Sequence, residues 1–216
     1  MIDDLLSLIA PHPCISCGKI EAVLCSNCKY DIIKGAHDTC LFCNRVHLDS
    51  ENTICSTTWF VGDRKAVLQR LVGIYKFNGV RAARFVLAAL LYSAAPPLPR
   101  DAVVVWIPSN PKHIRERGYD HMRLLAAAFA KKAQLTIRHL LKRQTYFVQH
   151  RSDRKTRLNQ VVGAFTVTER LDKHKTYLLL DDIYTTGATV KEALKVLIEA
   201  GAGHVIVAVI ARQPLD

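Results

Sequence analysis

The 216-residue sequence has no cysteine after Cys55 and no apolar run long enough to cross a bilayer. Its longest apolar stretch, Phe85 to Leu98, is interrupted by Pro96 and Pro97 and falls short of the roughly 20 residues that a spanning helix needs. The start, Met1-Ile2-Asp3-Asp4, is acidic, and the apolar run after it stops at Pro11. It therefore reads as neither a signal peptide nor an anchor, and a cytoplasmic protein without membrane insertion is expected. The absence of cysteine from three quarters of the chain excludes a disulfide framework. All seven cysteines lie between Cys14 and Cys55, and in a chain without export signals C-x-x-C thiols are metal ligands more often than bridges.

Acidic residues are scarce where basic ones are dense. Residues 1–60 hold 4 Lys/Arg against 7 Asp/Glu, or −3, whereas residues 61–216 hold 26 against 12, or +14. Within the latter, residues 112–157 carry 13 against 3, or +10. A one-sided excess of this size suits an anionic partner, either nucleic acid or a polyphosphate, and a merely solvated basic surface is the plainer alternative.

The composition shifts near Thr58 to Gly62, from turn-rich and acidic to long amphipathic and apolar segments. This divides the chain into a Cys-rich module, residues 1–58, and a main domain, residues 59–216. Val67, Leu68, Leu71, Val72 and Tyr75 recur at helical spacing, and further helices are expected over Val80 to Ala94 and Tyr119 to Ala133. Ala102 to Ile107 reads as a strand covered on both faces, ended by Pro108. Gly163 to Thr168 and Tyr177 to Leu180 read as strands, followed by a helix with Val190, Leu194, Leu197 and Ile198 on one face and a last strand from His204 to Ile210. Strand, helix, strand at this spacing is a right-handed βαβ unit, so an α/β fold with a mainly parallel sheet and helices on both faces is expected.

The order of residues after Tyr177 carries chemistry: four apolar residues, Asp181 and Asp182, a threonine loop around Gly187, then an amphipathic helix. Such a site sits at the carboxyl end of a parallel strand, where ligands bind in open sheets. Gly187 lets backbone N–H groups approach an anion, while Thr185, Thr186 and Thr189 add hydroxyls at a helix N-terminus. The two aspartates suit ribose hydroxyls and a hydrated Mg²⁺. The competing reading needs no ligand: Asp182 caps a turn and Thr189 caps the helix.

The thirteen residues from Tyr177 to Thr189 resemble the phosphoribosyl-diphosphate motif of type I phosphoribosyltransferases. Together with the N-terminal C-x-x-C pairs, Tyr75-Lys76-Phe77-Asn78-Gly79, Arg115-Glu116-Arg117-Gly118-Tyr119 and Gly163-Ala164-Phe165, they are similar to the ComF family of competence proteins. The resemblance implies a zinc ribbon before a phosphoribosyltransferase-like domain, and a role in handling single-stranded DNA during natural transformation, beside the DNA-uptake machinery at the inner membrane. It places ribose and metal at Asp181 and Asp182, the 5′-phosphate at Thr185, Thr186, Gly187, Ala188 and Thr189, and the diphosphate loop at Pro108, Ser109 and Asn110. One departure is visible: the family's Asn-Gln after the R-x-R-G-[FY] segment is Asp120-His121 here.

Arg143 to Val162 lacks apolar periodicity and carries Arg151, Arg154, Lys155 and Arg157, so it reads as a long loop over the site. Its cations have two uses. Arg157, at a family position, is the catalytic candidate that would stabilise departing diphosphate. Arg151, Arg154 and Lys155, with Arg115 and Arg117, are the candidates for DNA phosphates, with Tyr146 and Phe147 as bases' stacking partners or as packing anchors. Lys76 either touches a phosphate or is solvated.

Cys14-x-x-Cys17 and Cys25-x-x-Cys28 supply four thiolates at a separation that lets them meet one tetrahedral Zn²⁺. Cys40, Cys43 and Cys55 look like a second ribbon whose fourth ligand, by resemblance, falls at Thr58. Either His47 completes that site, or it is empty, or Cys40 and Cys43 serve the first metal. Three functions remain in view: a DNA-handling protein that binds phosphoribosyl diphosphate with Mg²⁺, a true transferase that releases diphosphate to an unknown acceptor, and a scaffold with a vestigial pocket.

Overall fold

A computed structural model of the chain describes residues 12–34, 58–144 and 163–213. In chain order the elements are α1 (Ser26–Lys34), β1 (Thr58–Asp63), α2 (Ala66–Phe77), α3 (Ala83–Ser93), β2 (Val103–Trp106), α4 (Pro111–Arg117) and α5 (His121–Ala133). There follow β3 (Thr136–Ile137), β4 (Leu141–Arg143), β5 (Phe165–Val167), β6 (Thr176–Tyr184), α6 (Ala188–Glu199) and β7 (His204–Arg212).

The apolar runs form the centre. All four residues of β2 are buried, as are seven of nine in β7, because both faces of the sheet are covered. Five strands pair in the order β1-β7-β6-β2-β3, every neighbour parallel. An antiparallel pair, β4 with β5, packs beside the sheet.

Alternate side chains of β6 enter different layers. Leu178 and Leu180 pack with α2, α3 and α5, through Leu71, Leu87, Leu91, Leu125 and Phe129. Tyr177 and Leu179 face the other layer, with Val190, Ala193 and Leu197 of α6 and Phe165 of β5. Cys14, Val23, Leu24 and Cys25 are buried in the first layer, so the cysteine module packs on the main core.

The expected elements recur, with several differences. β6 does not stop at Leu180: parallel pairing with β7 continues through Asp181↔Val209 and Ile183↔Ala211 to Tyr184↔Arg212, placing both aspartates inside a strand. Ile198 is 49% exposed, because it lies one residue, about 100° of helical turn, from buried Leu197. The Thr58 to Gly62 boundary is itself a strand, β1, at the edge of the sheet. Helix α4 was not foreseen, although Asn110 caps it, Pro111 opens it and Gly118 at φ 78° closes it, the usual signals for a short helix.

Phe129 is fully buried and meets Tyr92 edge-on at 6.5 Å. Phe129→Ala is expected to cost about 3–5 kcal/mol of unfolding free energy through lost contacts and a residual cavity. Urea denaturation followed by circular dichroism measures this, and a loss under about 1 kcal/mol contradicts the packing described.

Candidate functional site

Because β2 and β6 are parallel neighbours, with Trp106 opposite Leu180, the loops after them emerge side by side. The Ile107 N–H still reaches the Leu180 carbonyl at 3.0 Å, and the two chains part only beyond it. Pro108, Ser109, Asn110, Asp181, Asp182 and Thr189 line the resulting cleft of about 270 Å³. Lys76, His113, Arg117, His121 and Arg143 complete its wall.

Asp182 is buried, and two cations or donors converge on its Oδ2: Lys76 Nζ at 2.7 Å and His121 Nε2 at 2.5 Å. His121 is itself held at Nδ1 by Arg117 at 2.7 Å, and Ser109 Oγ, whose proton goes to Asp120, lies 3.0 Å from the same nitrogen. Arginine has only donors, so Nδ1 accepts and the ring proton sits on Nε2, facing Asp182. Burial pushes the Asp182 carboxyl up, but the hydrogen bond from His121 and the charge of Lys76 outweigh it and hold it well below the usual range. Asp181, on the other face of the strand, accepts the Asp182 backbone N–H on Oδ1 at 2.9 Å but has no charged side chain at hydrogen-bond distance among the described residues. Burial first, and the neighbouring Asp182 charge second, raise its pKa to about 8. Asp182 is thus favoured in its ionised form, and Asp181 is shifted toward its protonated form.

The loop from Thr185 runs into α6 with Gly187 at φ 75°. A Cβ there would lie 2.2 Å from the Tyr184 hydroxyl, so another residue would be strained by the positive φ and would have to displace that ring. Gly187 has no side chain to cap α6; Thr186 Oγ1 meets the Ala188 N–H at 3.4 Å, and the N–H groups that follow are left for an anion. Thr189 makes no capping bond to α6, and Asp182 is engaged by Lys76 and His121 in place of a turn. Of this loop Thr189 lines the cleft, while Thr185 and Thr186 are exposed at its rim.

The remaining candidates divide. Asn110 accepts from the Lys112 N–H at 2.9 Å as the α4 cap. Ser109 Oγ donates to Asp120 Oδ1 at 2.7 Å, and Asp120 caps α5. Arg117 turns inward to His121, whereas Arg115 is exposed on α4. Arg151, Arg154, Lys155 and Arg157, as well as Tyr146, Phe147, Cys40, Cys43 and Cys55, lie outside the described residues. Sequence reasoning undervalued Lys76, whose side chain is only 16% exposed, and His121, read as a weakened family position. Their signal was present: a lysine one residue from the end of a core-packed helix, and an imidazole where an amide pair is expected.

In the first layer, the sulfur atoms of Cys14, Cys17, Cys25 and Cys28 lie within 4.8 Å of one another. The Cys25 N–H points at Cys14 Sγ, 3.4 Å away. Four thiolates so gathered, with a backbone donor to one of them, are a donor set suited to a soft tetrahedral ion such as Zn²⁺.

Residues 125–216 match the phosphoribosyl transferase domain family. The chain is 27% identical over 194 residues, 86% of each chain, to the competence protein ComFC of Streptococcus pneumoniae (strain ATCC BAA-255 / R6). Among solved structures it is similar to an adenine phosphoribosyltransferase, 12% identical with a TM-score of 0.42, covering 87% of this chain and 89% of that one. It is also similar to the glutamine phosphoribosylpyrophosphate amidotransferase of B. subtilis, 20% identical with a TM-score of 0.43, covering 60% of this chain and 26% of that one. The chain therefore spans about a quarter of that enzyme's length. The sheet and the domain match together give a type I phosphoribosyltransferase α/β fold, preceded by a Cys-rich cluster.

The Asp181 shift has a consequence for stability. Between its ordinary value of 3.8 and about 8, folded Asp181 keeps a proton that the unfolded chain has lost, so its contribution to stability declines as pH rises through that window. Asp182, shifted the other way, loses its contribution only as pH falls below the ordinary carboxylate range. Melting curves without ligand should show Asp181→Asn gaining on the native protein from pH 5 to pH 8. A gap that stays constant over that range refutes the assignment.

Proposed function

We propose that this ComFC-like chain, with its phosphoribosyl transferase domain and N-terminal four-cysteine cluster, binds phosphoribosyl diphosphate with Mg²⁺ in the cleft and handles single-stranded DNA during natural transformation. The observation that carries the first half is the pairing of an ionised, doubly held Asp182 with the N-terminus of α6 in one cleft. Lys76 and His121 both use Oδ2, so Oδ1 is left to accept from a ribose hydroxyl. The α6 N–H groups with Thr185, Thr186, Gly187, Ala188 and Thr189 receive the 5′-phosphate. The peptide at Pro108, Ser109 and Asn110 faces the diphosphate. The carboxylate oxygens of Asp181 and Asp182 fit a hydrated Mg²⁺, which when bound neutralises diphosphate charge.

Support for DNA handling comes from the +10 stretch of residues 112–157 and from the competence relative. Exposed Arg115, with Arg151, Arg154 and Lys155, supplies the phosphate contacts, and Arg117 links that face to the cleft. Among the described residues no helix is long and apolar enough to cross a membrane, in keeping with a partner of the uptake machinery that works beside the membrane. A second reading, true phosphoribosyl transfer, is favoured by Lys76, Arg117 and Arg143 lining the cleft that holds the acids, since cations there stabilise departing diphosphate. In that reading Arg157 joins them.

Three measurements check these proposals. Phosphoribosyl diphosphate with Mg²⁺ should raise the melting temperature, and Asp182→Asn should abolish the rise; no shift in the native protein returns the pocket to vestigial status. Affinity for single strands should fall with salt at a log–log slope of about −0.7 per phosphate neutralised, and charge reversal at Arg151, Arg154 and Arg157 should weaken it; salt-independent binding refutes the basic face. Zinc content should drop and the melting temperature fall in Cys25→Ser, because the cluster packs into the first core layer. An unchanged metal content excludes these four ligands.

A further inference from the structure

His121 stands between two groups of opposite charge. One side of its ring faces Asp182, 2.5 Å from Nε2, and the other faces Arg117, 2.7 Å from Nδ1. Both charged side chains line the same cleft, yet among the described residues Asp182 pairs with Lys76 and His121 and not with Arg117. Carboxylate and guanidinium are one imidazole ring apart and attract each other across it.

The ring is held as firmly as the groups it separates. His121 opens α5 and is 4% exposed, and the preceding Asp120 caps the helix through the Met122 N–H at 3.1 Å. The Tyr75 hydroxyl donates to the His121 carbonyl at 2.5 Å, and the Tyr75 ring meets the imidazole edge-on at 5.9 Å. Arg117 comes from the last turn of α4 and reaches the ring across the turn at Gly118, where φ is 78°.

Polarity gives this placement its meaning. With its proton on Nε2, the neutral imidazole offers a donor to the carboxylate and an acceptor to the guanidinium, so each is satisfied without the two meeting. An apolar side chain of similar size would satisfy neither. The guanidinium, on its long stem, would then turn to the carboxylate and fill Oδ1, the oxygen that Lys76 and His121 leave open. Anion and cation would cancel where a ligand needs both, the anion for a ribose hydroxyl and the cation for diphosphate. The geometry points to His121 as a positioning residue that keeps Arg117 off Asp182, so that both stay available to the ligand; this rests on the cleft being a ribose-phosphate site.

Calorimetry on the full chain with two probes tests this: ribose 5-phosphate, which needs the acid, and inorganic diphosphate, which needs the cations. His121→Leu should weaken both by about tenfold or more, the scale of a hydrogen bond to a charged group. His121→Gln, whose amide also carries a donor and an acceptor, should keep both. Adding Arg117→Ala to His121→Leu should restore ribose 5-phosphate binding to the level of Arg117→Ala alone, while diphosphate binding stays weak. Damage to the fold would not be repaired by removing a second side chain. Melting curves show which variants are folded, and His121→Met takes the place of His121→Leu if the branched chain does not fit. Undiminished ribose 5-phosphate binding in the folded apolar variant overturns the inference and leaves the cleft proposal standing. No recovery in the double variant, or loss of binding in folded His121→Gln, does the same. Native protein that fails to bind ribose 5-phosphate overturns both.

Discussion

Two adjacent carboxylates inside the central strand of an otherwise apolar parallel sheet are the constraint around which the molecule is arranged. Both Asp181 and Asp182 are only 9% exposed, and a buried carboxylate is tolerated only when it is paired or protonated. The fold uses both solutions at once. Asp182 receives Lys76 from the end of α2 and His121 from the start of α5, so one ion pair and one hydrogen bond tie two helices to β6. The next link outward is Arg117 and Ser109 on the far side of the imidazole, and beyond them Asp120. Removing a partner from such a chain leaves an uncompensated charge, which costs more than the pair contributes.

The sheet's topology explains why so much chemistry gathers at one edge. Parallel strands deliver their loops to one end, and the neighbours β2 and β6 bring together two segments separated by more than seventy positions of sequence. The cysteine cluster does different work. Cys14 and Cys25 are buried against the same layer that carries Lys76 and His121, so the metal-suited module is part of the framework that seats α2.

Much of this was legible in the residues. The valine run of β2, the leucines of β6 and the Thr-Thr-Gly-Ala-Thr loop predicted the fold and the cleft, because burial on both faces and a helix opening at glycine leave local marks. The strand's continuation through Asp181 and Asp182 was not legible: charged residues argue for a loop, and only the pairing with β7 overrides that preference. Lys76 and His121 were undervalued for a related reason. A lone lysine after a helix or a lone histidine is ordinary, and their meaning lies in one oxygen atom 106 and 61 positions away. Helix α4 was missed because seven residues are too few to show a period, although its capping residues were in view.

Because successive side chains of a strand leave by opposite faces, Asp181 belongs to the layer of α6 and Asp182 to the layer of α2, α3 and α5. A molecule grasped by both acids therefore bridges two halves of the protein that otherwise meet only through the sheet. Such a molecule would act as a clasp across the strand end, held from both layers at once.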